Sequence, residues 1–287
     1  MLEHVINGLV LGGTYALVAM GLTMQYGIAR IMNLSFGDTI IAACFATYVL
    51  FSTFGINPIA ALLIVLPASY ALSLGIYRVM MKPLVARAPD EGALEVDSIL
   101  LTFGLLFVIQ GILLMIFGGG YFSYSFLNTP VNVLGTVVAG NRLLALVLSL
   151  LIGAALVVVL YRTRWGMILR AVALAPKSAP LFGIDTDRAA RTAFAIGGTM
   201  AATGGVVVSM FQTFTATAGV VFTMKALIVV ILGGKGSIPG AIAAGLLLGL
   251  VETFVAAYVD PGLTLAAVYT VFLLLLLVRP NGLFGKA

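Results

Sequence analysis

Long apolar runs separated by short polar segments dominate this chain, and their pattern predicts its elements. The runs last about 20 residues without the two-residue alternation of membrane β-strands, and a helix of that length crosses a hydrocarbon core about 30 Å thick. We therefore predict an all-α fold, a polytopic membrane helix bundle of eight or nine segments that forms a single domain over 1–287. The predicted segments are 5–26, 36–51, 59–79, 98–117, 143–161, 193–211, 220–233, 241–258 and 263–278.

The segment 220–233 is short for a membrane crossing, because its fourteen residues rise only about 21 Å as a helix. A short span, a broken helix and a re-entrant segment all fit this length. The charge distribution favours a crossing, because 13 of the 15 basic residues then share one side, which the positive-inside rule assigns to the cytoplasm. The N-terminus is then external, the C-terminus is cytoplasmic, and Arg142 is the one basic residue outside.

Three of the connections between the predicted spans are long and polar. The segment 78–97 carries three basic residues and then four acidic ones, and we expect it to be a cytoplasmic loop. The segment 118–141 has no Asp, Glu, Lys or Arg, which is typical of an external loop. The longest interruption is 162–191, with six of the fifteen basic residues. It has to lie in water or against another protein, so it is either a docking element for an energy-supplying partner or a solvated connection.

Composition supports the membrane assignment and changes the meaning of the net charge. The chain is 62% hydrophobic and 9% charged, whereas soluble proteins contain about 25% charged residues. A net charge of +5 would suggest nucleic acid in a soluble protein, but here the basic residues lie at span ends. We therefore expect a lipid bilayer and no nucleic acid as partner. The first run lacks a basic leader region, so we expect a retained span rather than a signal peptide.

Catalytic and metal-binding motifs are not evident in the sequence. His4 is the single histidine and Cys44 the single cysteine, so neither a hydrolase triad nor a zinc site has its residues. The stretch GGKGS at 233–237 resembles a phosphate loop, but Val229 stands where that motif requires glycine. A tight turn between two membrane helices explains it better. We expect no cofactor, no enzymatic activity, and ATP binding only in partner subunits.

Ionisable and polar residues within the spans are candidates for function. Glu252 either pairs within the bundle or couples transport to an ion gradient, which would make the protein a secondary transporter. Asp38 is expected to stabilise a helix N-terminus through the helix dipole, and Ser35 to cap the same helix. The residues that we expect as a possible translocation pathway are Asn7, Thr14, Gln25, Asn33, Ser35 and Glu252.

Four stretches resemble LivH-type permeases, the membrane subunits of branched-chain amino-acid ABC importers. They are NGLVLGGTYALVAMGLTMQYGIARIMNLSFGD, RAVALAPKSAPLFGIDTDRAARTAFAIGGTMAATGG, ILGGKGSIPGAIAAGLLLGLVET and RPNGLFGK, in that order from Asn7 to Lys286. The resemblance implies a homologous LivM-type permease, two cytoplasmic ABC ATPase subunits and a periplasmic solute-binding protein as partners. It also implies the bacterial inner membrane, and branched-chain amino acids or a related small polar solute as substrate.

In LivH-type permeases the stretch that corresponds to 170–187 presents a coupling helix to an ATPase. Two features of this chain differ from the family: Pro176 and Pro180 fall inside that stretch, and Ser35-Phe36 replaces a frequent Ala-His pair. The residues that we expect to contact the ATPase or to shape the loop are Arg164, Arg170, Leu174, Lys177, Leu181, Phe182, Gly183, Asp185 and Asp187. The alternatives to an ATP-driven subunit are the secondary transporter with Glu252 and a membrane assembly protein without a solute path.

Overall fold

The computed structural model describes residues 1–133, 136–176, 178–234 and 236–284, and within them the chain is an almost entirely helical bundle. Eight of the described helices are long and apolar enough to cross a bilayer, and Gly219–Gly233 is a shorter apolar helix, so the prediction of eight or nine membrane segments is confirmed. The helices are α1 (Leu2–Ala29), α2 (Phe36–Phe54), α3 (Pro58–Ile76), α4 (Lys82–Arg87), α5 (Glu91–Phe117), α6 (Gly140–Arg162), α7 (Arg164–Leu174), α8 (Thr186–Ser209), α9 (Gly219–Gly233), α10 (Ile238–Tyr258) and α11 (Thr264–Val278).

Two ends of the bundle can be told apart by their connections. The basic end holds α7, the end of α1 and the start of α10, where Arg30 donates to the carbonyl of Ala173 and Gly27 lies against Gly236. The hairpin end holds the start of α1 and the ends of α8 and α10. It also holds a short antiparallel hairpin, β1 (Pro130–Val133) and β2 (Thr136–Ala139), within the predicted external loop. The sequence pattern did not predict this hairpin.

Close backbone packing around α1 forms the centre of the bundle. Most of α1 and α8 is buried, whereas α5 and α11 leave most of their large apolar side chains exposed. Helix α10 runs against α1 through glycines: a Cβ on Gly12 would lie 2.8 Å from the Cα of Leu246, and one on Gly249 would overlap the backbone of Gly12. Small residues at such a contact allow two helices to approach closely, and dispersion over the contact stabilises the pair.

The predicted loop 78–97 is mostly helical, so that expectation is corrected. A π-helical turn over Tyr77–Met81 joins α3 to α4, and α5 begins at Glu91. Asp90 caps α5 by accepting a hydrogen bond from the backbone N–H of Ala93 at 2.8 Å. Because a helix continues into water at no cost to its own hydrogen bonds, polar composition marks where the bilayer ends and not where the helix ends.

Helix α9 begins next to the first turn of α2, where Gly219 is buried beside Asp38. After α8 ends at Ser209, the chain runs through 210–218 without a helix and starts α9 beside the first turn of α2. The hydroxyl of Thr223 accepts a hydrogen bond from the backbone N–H of Gly37 at 2.8 Å and donates to the carbonyl of Leu34. The segment 220–233 therefore lies in one uninterrupted helix that follows a nonhelical stretch, and the alternative of a broken helix within it is not observed.

Aromatic side chains fix the nonhelical stretch before α9 at the hairpin end. Phe214 exchanges backbone hydrogen bonds with Phe122 of the connection after α5. The ring of Phe45 from α2 stacks on Phe117 with centroids 4.1 Å apart and meets the rings of Phe122 and Phe214 edge-on. Such ring pairs add stabilisation beyond the area that they bury. They hold a backbone without helical hydrogen bonds within the bundle.

Candidate functional site

The segment 163–185 at the basic end is largely ordered by local sequence. Thr163 caps α7 by accepting from the N–H of Gly166 at 3.1 Å, and α7 ends at Leu174. The helix stops there because Pro176, two residues on, disfavours helix before it and lacks an N–H. Pro180 lies instead within the short 3₁₀ turn Ala179–Phe182, where its fixed φ is accommodated.

Gly183 and Asp185 then turn the chain into α8. Gly183 has a φ of 74°, in the left-handed region that favours glycine. Asp185 caps α8, because its Oδ1 accepts a hydrogen bond from the N–H of Arg188 at 2.9 Å. Asp187, in the first turn of α8, lies 3.2 Å from Lys82 and accepts from the hydroxyl of Tyr77. The contacts of Asp185 and Asp187 within the chain therefore shape this segment.

Large apolar side chains on this segment are exposed. The exposed fractions are 77% for Leu174, 84% for Leu181 and 82% for Phe182. In contrast, Leu169 and Val172 on the other side of α7 are buried against the bundle, which fixes the helix in place. Exposed apolar side chains grouped on one segment make it a candidate for contact with another protein. We call the exposed side chains of Leu174, Leu181 and Phe182 the apolar triplet.

Basic side chains lie on the same segment as the apolar triplet. The guanidinium of Arg170 lies over the ring of Tyr161, 4.7 Å from its centroid, and Arg164 is exposed at the start of α7. Next to them is an open cavity of about 580 Å³ whose walls include Arg170, Leu174 and the start of α10. Lys177, predicted as part of this site, lies outside the described residues. The other eight predicted coupling residues all lie in or next to this one segment.

The predicted pathway residues divide into two groups. Gln25, Asn33 and Ser35 form one buried network: Gln25 donates to the carbonyl of Phe194 at 3.0 Å, Asn33 donates to Gln25, and the Ser35 hydroxyl donates to Asn33 at 2.8 Å. The network joins the end of α1 and the start of α2 to α8. Ser35 stands at the start of α2, but its hydroxyl makes no capping bond, so the predicted cap is corrected.

The remaining pathway candidates lie toward the hairpin end. Thr14 is buried and bonds to the carbonyl of Val10 within its own helix. Asn7 accepts a hydrogen bond from Arg142 at 2.8 Å. Glu252 pairs with Lys225 of α9 at 2.7 Å, so it pairs within the bundle, as one of the two sequence-based alternatives expected. The signals for Arg142 and Lys225 were their unusual positions in the charge pattern, but nothing in the sequence paired them with Asn7 or Glu252.

Asp38 and Tyr124 are two further polar residues of the bundle. The carboxylate of Asp38 in the first turn of α2 is buried beside Gly219, where α9 begins, so it lies near two helix N-termini. Tyr124, in the connection between α5 and β1, hydrogen-bonds to Ser209 at 2.8 Å. Burial raises the pKa of the Tyr124 hydroxyl to about 12, so it stays protonated at neutral pH.

A bundle with many membrane segments, a nonhelical stretch before α9 and an exposed apolar triplet at its basic end fits a membrane permease that works within a larger assembly. The chain belongs to the family described as branched-chain amino acid transport system / permease component, whose model matches residues 4–279.

Curated relatives extend over nearly the whole chain. It is similar to the high-affinity branched-chain amino acid transport system permease protein BraD of Pseudomonas aeruginosa, with 27% identity over 99% of this chain and 96% of the relative. The corresponding protein LivH of Escherichia coli is 28% identical over the same shares. A probable branched-chain amino acid transport permease protein LivH of Methanocaldococcus jannaschii is 25% identical over 97% of this chain and 91% of its own. No solved structure gives a significant match.

Family membership confirms several predictions. The resemblance to LivH-type permeases and the helical membrane fold are confirmed, and the chain is a permease subunit of an ABC importer, not itself an enzyme. ATPase and binding-protein partners follow from this family. The alternative of a gradient-driven secondary transporter receives no support from these comparisons.

Proposed function

We propose that this subunit imports branched-chain aliphatic amino acids and that its motion is driven by partner ATPases that bind the apolar triplet. The relatives named for branched-chain amino acid transport support the substrate class. The exposure of Leu174, Leu181 and Phe182 on a segment fixed to α1, α6 and α8 carries the coupling part of the proposal. A rigid element with an apolar surface transmits force, because an apolar groove in a partner holds it at several points.

The assembly that this proposal requires contains a second permease. We infer a homologous LivM-type subunit as that partner, with two ABC ATPases at the basic end and a periplasmic binding protein at the hairpin end. ATP is bound by the ATPases, and this subunit needs no cofactor of its own. The exposed apolar faces of α5 and α11 leave room for lipid and for the second permease. The two permeases then rock between outward-open and inward-open states.

The coupling proposal is tested by replacing Leu181 and Phe182 with glutamate in the complete complex in proteoliposomes. Two carboxylates cannot enter an apolar groove without large desolvation costs, so ATP-dependent leucine uptake should fall at least about tenfold, as a loss of roughly 1.4 kcal/mol implies. ATP hydrolysis should continue. As a matched control, Leu181→Met with Phe182→Leu keeps both side chains apolar and should retain uptake. Unchanged uptake by the glutamate variant would contradict the proposed coupling surface.

The orientation is part of the same proposal: the basic end faces the cytoplasm, the N-terminus lies outside and the whole chain resides in the bacterial plasma membrane. Cys44 is fully buried, so the unmodified chain serves as a blank for thiol labelling. An impermeant maleimide applied to intact cells should label Gly120→Cys in the hairpin-end connection. It should leave Leu181→Cys unlabelled until the membrane is opened. The reverse pattern would invert the topology.

A further inference from the structure

We propose that a cavity at the hairpin end binds the zwitterionic backbone of the transported amino acid, with Arg142 on the carboxylate and Glu252 on the ammonium group. This inference rests on the proposed function, because it names the part of the chain that recognises the amino acid. The cavity has a volume of about 390 Å³ and lies between α1, α6 and α10. Pockets for small ligands begin at about this size.

The lining of this cavity combines opposite charges with an apolar wall. Arg142 stands at the start of α6 and Glu252 in α10, and both line the cavity. Its apolar lining includes Val10, Leu11, Phe211 and Ala256. An aliphatic amino acid carries the complementary groups: a carboxylate, an ammonium group and an uncharged branched side chain. The cavity lining therefore holds a counterpart for each of these three groups.

The guanidinium of Arg142 is available to bind a carboxylate. It donates one hydrogen bond from Nη1 to Oδ1 of Asn7 at 2.8 Å, and within the described residues it forms no ion pair. A guanidinium carries five N–H donors in a planar fork that fits a carboxylate in a bidentate manner. The contact with Asn7 orients the fork and leaves most of its donors available. This residue was also the one basic residue that the positive-inside pattern left on the opposite side.

Two neighbours hold the carboxylate of Glu252 in position. Its Oε1 accepts from the Lys225 ammonium at 2.7 Å and its Oε2 accepts from the Tyr15 hydroxyl at 2.8 Å, while Lys225 also donates to Tyr15 at 2.7 Å. The side chains of Lys225 and Glu252 are only 11% and 15% exposed. A carboxylate has about four lone-pair sites, so two hydrogen bonds leave capacity for the ammonium group of a solute.

Stability alone is a poor explanation for this ion pair. Desolvation of two buried charges offsets most of their attraction, and apolar residues of similar size often serve a fold equally well. Ionisable residues within membrane segments are for the same reason functional candidates. The pair instead keeps the carboxylate of Glu252 on the cavity wall while Lys225 compensates its charge. With Arg142 included, the site carries one net positive charge, so an amine without a carboxylate is repelled.

The test measures binding of radiolabelled L-leucine to the purified complex of permeases and ATPases without the binding protein. Two competitors separate the charged groups: L-leucinamide lacks the carboxylate and α-ketoisocaproate lacks the ammonium group. The complex should prefer leucine over both. Arg142→Gln should weaken leucine binding about ten- to hundredfold, the loss expected for hydrogen bonds to a charged group. It should leave leucinamide binding unchanged or strengthen it, because the net positive charge of the site is removed, so that the preference between these two ligands collapses.

Glu252 needs a variant that keeps the fold, because Glu252→Gln alone leaves the Lys225 charge buried without its partner. The double change Lys225→Met with Glu252→Gln removes both charges together. This variant should assemble and hydrolyse ATP, yet lose the preference for leucine over α-ketoisocaproate. Arg142→Lys should bind leucine with an intermediate affinity. The control Asp260→Asn alters a charge at the same end but outside the cavity and keeps a capping oxygen, so it should bind leucine normally.

Several outcomes overturn the site. Arg142→Gln with unchanged leucine affinity does so, and so does an equal loss for leucine and both competitors, because that result indicates a structural role. A wild-type complex that imports leucine but binds none without its binding protein also overturns it. Failure of the wild-type complex to import leucine in an ATP-dependent manner contradicts the proposed function instead. The two failures are therefore distinguishable in the same preparation.

Discussion

The contact between α1 and α10 and the segment 163–185 use apolar residues in opposite ways. Between α1 and α10 the residues are small and buried, and the backbones themselves meet at Gly12 and Gly249. At the basic end, Leu181 and Phe182 are large and more than four-fifths exposed. Lipid offers no hydrophobic force to hold helices together, so the first region relies on close fit. The second region lies beyond the bundle and has apolar surface left for a partner.

This difference predicts different tolerances to mutation. In the first region one added methyl group meets backbone atoms that have no room to move, so shape decides the effect. In the second region a side chain is free to change size, and its polarity decides the effect. Stability should therefore depend on the glycine contacts, and coupling on the exposed triplet.

The largest effect on stability is expected for Gly249→Ala. The added Cβ would overlap the backbone N and Cα of Gly12, so α1 and α10 must separate. Overpacking of a rigid contact costs about 3 kcal/mol or more in such a position. The thermal midpoint of the complex in detergent should fall by several degrees, which a size-exclusion thermal assay measures.

Gly104→Ala is the matched control for that substitution. Gly104 also lies in a membrane helix, α5, but a Cβ there meets no atom within 4 Å. Alanine is favoured over glycine in a helix by up to about 1 kcal/mol, so this variant should be as stable as the unmodified chain or slightly more so. An equal loss in both variants would show that close approach is not what holds the centre together.

A smaller effect on stability is expected for Thr223→Val, which keeps the shape and removes the hydroxyl. That hydroxyl accepts from the N–H of Gly37 and donates to the carbonyl of Leu34, so its loss leaves a buried N–H without a partner. The cost of such a group is about 2 kcal/mol. Thr223→Ser, which keeps the hydroxyl, is the control. Equal thermal midpoints for the valine and serine variants would contradict the role given to this bond between α2 and α9.

Sequence reasoning located the membrane helices well, because their apolar runs are long and the bilayer fixes their length. It also placed a tight turn between two membrane helices, and in the structure this turn joins α9, which ends at Gly233, to α10, which Ser237 caps. Sequence reasoning failed where a polar segment is helical. The helices α4 and α5 extend through the polar segment 78–97, and α7 begins at Arg164, before the stretch 170–187 in which a short coupling helix was expected.

The candidate site was predictable only residue by residue. Glu252, Lys225 and Arg142 were each conspicuous, because ionisable residues are rare in such a chain. Their grouping was not predictable, because Tyr15 and Glu252 are 237 positions apart and meet only through the packing of α1 on α10. Gln25, Asn33 and Ser35 were selected by the same polarity rule but bond to one another and to backbone. Polarity in a span indicates a polar contact, and the fold decides whether a solute is able to reach it.

The smallest stability effect is expected at the basic end, for Asp185→Ala. Its Oδ1 accepts the N–H of Arg188, and its ion pair with Arg188 at 3.8 Å is solvent-exposed and contributes little. Loss of this cap should cost about 1 kcal/mol, confined to the first turn of α8. Asp185→Asn keeps the capping oxygen and removes the charge, so it should retain the thermal midpoint. If the alanine variant lowers leucine uptake more than its small change in stability explains while the asparagine variant does not, the start of α8 positions the apolar triplet. If both variants lower uptake equally, the carboxylate itself contacts a partner, and the basic end is then recognised through charge as well as through apolar surface.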